Sequence, residues 1–102
     1  MNSSEYDQRQ YQLMAKSIQQ FKEGELDIYN LISIIEALLD VLQMADEKWK
    51  NDVRNEWWTL EQVYAVAVYK GQKTLSTEDI YLVNEAVENI ETLVKPQLRS
   101  HQ

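Results

Sequence analysis

Between Tyr11 and Val94 the apolar residues recur every three or four positions, in four blocks separated by short polar breaks. That period lines them up on one side of a helix, whereas a strand would alternate by two. In the first block Tyr11, Met14, Ile18 and Phe21 face a glutamine-rich surface of Gln8, Gln10, Gln12, Gln19 and Gln20. Ser4 and Asp7 have capping-box spacing, and the pattern predicts a helix over residues 5–22, with fraying in its first turns because nothing apolar precedes Tyr6. Gly24 ends it by taking a left-handed conformation, and Lys22 suits the negative helix terminus. The second block has the cleanest amphipathic pattern. Asp27 is its N-cap, Leu26 and Leu31 form a hydrophobic staple, and Ile28, Leu31, Ile32, Ile35, Leu38, Leu39 and Leu42 make the apolar face of a helix over 28–43. Tyr29, Ser33, Glu36 and Asp40 fall on the other side.

The third block, WKNDVRNEWWTLEQVYAVAVY, is the one the rest is organised around. Trp49, Val53, Trp57, Leu60, Tyr64 and Val68 form one stripe, uninterrupted by Gly or Pro, which predicts a helix over 47–70. Its length is roughly 36 Å. Trp58, Ala65 and Tyr69 lie on a flanking stripe, where Trp58 is expected to be half covered. After Gly71, the stretch LSTEDI repeats the earlier start signal, with Ser76 as N-cap, Asp79 three residues on and Leu75 stapled to Ile80. The fourth helix, 77–95, should bury Ile80, Val83, Val87, Ile90 and Val94, carry a Glu91–Lys95 surface pair, and end at Pro96, with Leu98–Gln102 as a loose tail. Four amphipathic helices on short connections predict an all-α, antiparallel up-down four-helix bundle occupying residues 1–102 as a single domain. Two alternatives are an orthogonal packing of the same helices and a third helix broken near Asn51 or Asn55.

At 102 residues the chain suits one domain, and its three Gly and Pro residues in total favour long helices. The N-terminal MNSSEYDQRQYQ lacks the apolar core of a signal peptide, and no apolar run is long enough for a bilayer. With no cysteine, a cytoplasmic location without a membrane partner is expected. Reactive groups are scarce. The single histidine, His101, is next to the last residue, so the usual zinc sites and the Glu-x-x-His pairs of di-iron bundles are missing, as is any glycine-rich phosphate loop. Carboxylate pairs such as Glu36/Asp40 and Glu85/Glu88 read as solvated helix faces. Glu61, beside Trp57 and Trp58, is the one acid placed to draw attention, and it too reads as a surface or half-buried helix residue. The chain is expected to be no enzyme and to need no metal or cofactor.

The net charge of −7 disfavours direct binding of nucleic acid and suits a basic protein partner. The acids are unevenly placed. Glu23 to Glu47 holds seven acids, and Thr74 to Val94 five, with no Lys or Arg in either stretch. In an antiparallel bundle Glu23, Glu25, Asp27, Glu78 and Asp79 would gather at one end, offset in part by Lys22, Lys70 and Lys73. Exposed aromatics beside acids form the second signal, because aromatic anchors carry much of the energy of protein interfaces. The expected partner surface comprises Tyr29, Glu36, Asp40, Trp58, Tyr69, Glu78, Tyr81, Glu85 and Glu88.

The stretches GELDIYNLISIIEALLDVL and ADEKWKNDVRNEWWTLEQVYAVAV, followed by an STED helix start, make residues 20–95 resemble small all-helical bacterial immunity proteins encoded beside contact-dependent growth inhibition or related polymorphic toxins. A W-x-x-L-E run at Trp57–Glu61 followed by Tyr64 is part of that likeness. The resemblance implies stoichiometric inhibition, in which the protein binds a cognate toxin domain, often a nuclease with a basic cleft, and blocks its active site or substrate path. The alternative is a non-enzymatic adaptor or structural bundle that self-associates, for example as a weak homodimer, through apolar surface around Trp58 and Tyr69.

Overall fold

The computed structural model describes residues 3–99. Among them the chain forms α1 (Ser3–Lys22), α2 (Ile28–Val41), α3 (Glu47–Tyr69) and α4 (Thr77–Val94), followed by a 3-10 turn over Lys95–Gln97, with no strand. This is an all-α four-helix bundle, as the periodicity predicts. α3 runs unbroken through Asn51 and Asn55.

Local chemistry sets the helix ends. The Asp27 carboxylate accepts from the Asn30 N–H at 2.8 Å, and the Ser76 hydroxyl accepts from the Asp79 N–H at 3.1 Å. Both glycines sit at positive φ, +80° at Gly24 and +69° at Gly71. Each closes a Schellman turn. Glu25 N–H donates to the Gln20 carbonyl at 2.9 Å and Gly24 N–H to that of Phe21 at 3.1 Å; Gln72 and Gly71 repeat the pair on Ala67 and Val68 at 2.9 and 3.0 Å. A Cβ added at Gly71 would meet nothing within 4 Å, so its cost is conformational alone. Gly71→Ala is therefore expected to lower stability by about 1 kcal/mol, read as a lower urea midpoint. An unchanged midpoint would mean that the turn does not need the left-handed geometry.

The core is built from Tyr11, Met14 and Ile18 of α1, the apolar face of α2, Val53 and Leu60 of α3, and Val83, Ala86, Val87, Ile90 and Val94 of α4. α2 and α3 run in opposite senses: Asp40 meets Arg54, the Ile32 carbonyl meets Trp57, and Tyr29 meets Tyr64. Two tryptophans tie α3 to its neighbours. Trp49 Nε1 donates to the Leu93 carbonyl at 2.7 Å, and Trp57 Nε1 donates to the Ile32 carbonyl at 2.9 Å. Tyr11 meets Trp49 edge-on, with ring centroids 5.3 Å apart. Burial, reinforced by the Asp7 carboxylate, raises the Tyr11 hydroxyl pKa above its ordinary value.

Several expectations are corrected. Val68 is 58 % exposed and Ala67 takes its place in the interior; Ile80 is 47 % exposed. The cause is a length mismatch. α2 has 14 residues and α3 has 23, so α2 covers α3 from about Arg54 to Tyr64, and the last turns of α3 with the first of α4 project beyond it.

Ser4 and Asp7 do not cap α1. The helix already begins at Ser3, and Asp7, 3 % exposed, turns its carboxylate onto the chain leaving α2. There it accepts from the N–H groups of Gln43 at 2.9 Å and Met44 at 2.7 Å.

The Leu98–Gln102 segment is not loose where it is described. Leu98 packs on the core, and the Gln8 side-chain amide donates to the Gln97 carbonyl at 2.6 Å and accepts from Arg99 N–H at 3.1 Å. The Arg99 guanidinium also donates to the Ser4 hydroxyl. His101 lies outside the described residues. Glu91 pairs with Lys22 at 2.6 Å rather than with Lys95. α1 thus ends beside the C-terminal half of α4. Glu78 lies thirteen residues before Glu91, roughly 20 Å along the helix, so the end of α1 is well removed from the first turn of α4.

Candidate functional site

The outer side of α2 repeats at helical spacing through Tyr29, Ser33, Glu36 and Asp40, because its apolar face is fully committed to the core. α3 lies alongside and presents Trp57, Glu61, Tyr64, Ala65, Val68 and Tyr69. Between the two helices runs a groove of about 490 Å3, walled by Tyr29, Ile32, Ser33 and Glu36 of α2 and by these α3 residues. The Trp57 ring is fixed by its bond to the Ile32 carbonyl and carries Trp58 at a centroid distance of 6.1 Å. Tyr29 and Tyr64 bridge the helices with ring centroids 5.6 Å apart, tilted by 43°. Tyr69, 92 % exposed, stands at one end.

The electrostatics are lopsided. Glu36 is exposed and Glu61 half-buried, one on each wall, and among the described residues neither has a hydrogen-bond or ion-pair partner. No Lys or Arg lines the groove. The Ser33 hydroxyl is already used, donating to the Tyr29 carbonyl at 3.1 Å. One helical turn past Glu36, Asp40 has a cation: Arg54 of α3 donates to it at 3.1 Å.

The predicted surface therefore divides in two. Tyr29, Glu36 and Tyr69 line the α2–α3 groove. Trp58 is half exposed on the same helix as its α3 wall, and Asp40, satisfied by Arg54, is on the same helix as its α2 wall. Glu78, Tyr81, Glu85 and Glu88 occupy the outer side of α4, all exposed. There Tyr81, Asn84, Glu85 and Glu88 line a separate depression, and no α4 residue reaches the groove.

Sequence reasoning left Glu61 and Tyr64 out of the contact surface. Tyr64 shares the apolar stripe of Trp57 and Leu60, so spacing alone assigns it to the core; in the fold it is only half-buried and its ring faces Tyr29. A further polar cleft between α3 and α4, around Asp52, Asn55, Glu56 and Asn89, also escaped that reading. Its Glu56 carboxylate accepts from the Asn89 side chain at 3.1 Å.

Chemically, the α2–α3 groove offers aromatic faces and two carboxylates to a cationic group. Among the described residues no three His, Cys, Asp or Glu side chains come together as a metal-holding set, and no helix is long and apolar enough to cross a membrane. Comparison with protein-family models, with curated proteins and with solved structures finds no match to this chain.

Proposed function

We propose that this chain is a non-enzymatic protein-binding bundle that acts as an immunity protein, seating itself on a basic, nuclease-type toxin domain and blocking its active site or substrate path. The observation that carries this reading is the pair of carboxylates, Glu36 and Glu61, that line the α2–α3 groove without a cation among exposed aromatic rings. Unpaired acids beside Tyr and Trp suit a partner that brings its own positive charge. The acidic outer side of α4 adds to the field that would draw such a partner in. A nuclease cleft, shaped to hold phosphates, has the required sign.

The test is to mix the chain with the toxin domain encoded next to its gene. The expected result is a one-to-one complex in which toxin activity stops at equimolar inhibitor. Association should slow steeply as salt rises, because steering by exposed charge is screened within a Debye length of about 8 Å at physiological ionic strength. Separate elution of the two proteins at low salt, with the toxin fully active, would overturn the reading.

A second reading is favoured by a different feature. At the projecting α3–α4 end, Val66, Val68, Tyr69, Ile80, Tyr81 and Leu82 are all exposed, an apolar surface of the kind that mediates self-association. A self-assembling bundle would show a dimeric or larger mass by light scattering without any partner, whereas the inhibitor would be a monomer or a weak dimer.

A further inference from the structure

Building on the reading of the chain as a binder of a basic protein, we infer that the α2–α3 groove is the docking site, and that it takes an arginine side chain presented on the partner's surface. Charge complementarity supplies the first part of the argument. Glu36 and Glu61 line the groove from opposite walls with no counter-ion among the described residues. The molecule itself shows what this side of α2 accepts, since Asp40, four residues after Glu36, receives the Arg54 guanidinium from α3 at 3.1 Å. Two turns beyond Arg54 along α3, the residue lining the groove is Glu61. A cation at Glu36 would therefore come from outside.

The rings decide which cation. Tyr29, Tyr64 and Trp57 border the same space, and Tyr29 and Tyr64 are already held 5.6 Å apart. A planar guanidinium can lie on an aromatic face and still donate from its edge to carboxylates on both walls. An ammonium is compact and strongly hydrated, and can do only one of these well. At about 490 Å3 the groove is roomy enough for a long side chain, and it is open along its length, so the chain that bears the arginine can stay outside. The α4 outer side has the same residue types, but its depression of about 320 Å3 is lined by one helix alone and bordered by a single ring, Tyr81.

The experiment is an amide-shift titration of the full chain with acetyl-Gly-Arg-Gly-amide. The neutral isostere with citrulline in place of arginine and the lysine peptide serve as comparisons. The expected result is that the arginine peptide moves the signals of Tyr29, Glu36, Glu61, Tyr69 and the Trp57 indole, and binds more tightly than either comparison peptide. In the Glu36→Gln, Glu61→Gln double variant, binding should weaken by about five- to tenfold, while Glu85→Gln, Glu88→Gln, which thins only the screened long-range field, should weaken it by less than about twofold and leave the same signals moving. Equal binding of the citrulline peptide, or shifts concentrated on α4, would overturn the inference, and neither outcome depends on a variant folding. A toxin complex insensitive to the double variant would sink the groove and spare the proposed function. Arginine capture in the groove without any toxin complex would do the reverse.

Discussion

Asp7→Ala is expected to destabilise the bundle by about 2–4 kcal/mol, although Asp7 looks like a surface residue in the sequence. Its carboxylate is 3 % exposed and is the acceptor for two consecutive backbone N–H groups, those of Gln43 and Met44, just past the end of α2. A hydrogen bond to a charged group contributes about 1.5–3 kcal/mol, and removing the acceptor leaves both donors short of a partner in a part-buried turn. The cost of desolvating the carboxylate offsets some of that gain, which is why the expected loss falls below the sum of two full bonds. Asp7→Asn keeps one carbonyl oxygen but sets an NH2 group against the second donor, so it should fall between wild type and Ala. Urea unfolding followed by tryptophan fluorescence would measure both. A loss under about 0.5 kcal/mol for Asp7→Ala would mean that water satisfies the turn equally well.

The same corner of the fold sets an alkaline limit. Tyr11 packs there on Trp49, and burial first, then the negative Asp7, push its hydroxyl pKa above the ordinary 10.0. Because the folded state favours the neutral phenol, its contribution is intact below pH 10.0 and is lost as the pH rises through the higher folded value.

How far the sequence could be read follows from the range over which each feature is determined. The caps at Asp27 and Ser76 and the stops at Gly24 and Gly71 were legible, because each depends on chemistry within about five residues. The apolar face of α2 was legible as well, since every one of its large residues from Leu31 to Leu42 on the stripe is buried. The partners of Asp7 were not legible. They lie 36 and 37 residues away, and nothing local distinguishes Asp7 from a capping acid. The candidate site was half legible. Spacing along α2 showed that Tyr29 and Glu36 share an outer side, but it could not say which helix would stand beside them. That Glu61 joins Glu36, while Tyr81, Glu85 and Glu88 go elsewhere, depends on how the helices are arranged around α3.

The end of the α3 stripe poses the same question in energetic form, and a pair of variants answers it. Leu60→Ala is expected to cost about 3–5 kcal/mol and Val68→Ala less than about 0.5 kcal/mol, although both residues sit on one helical stripe. Leu60 has no solvent exposure and belongs to the core shared by all four helices. Cutting it back leaves a cavity in that core which its neighbours cannot easily collapse into, with Trp57 and Trp49 pinned by their bonds to Ile32 and Leu93. Val68, two turns on, is 58 % exposed past the reach of α2, so its methyl groups are already largely in water. Against a total of about 5–15 kcal/mol for a domain, the first change puts the fold at risk and the second passes almost unnoticed. Paired melts of the two variants decide the matter. Comparable losses would mean that α3 is covered to its end, and the overhang that leaves the groove open beside Tyr69 would then be closed.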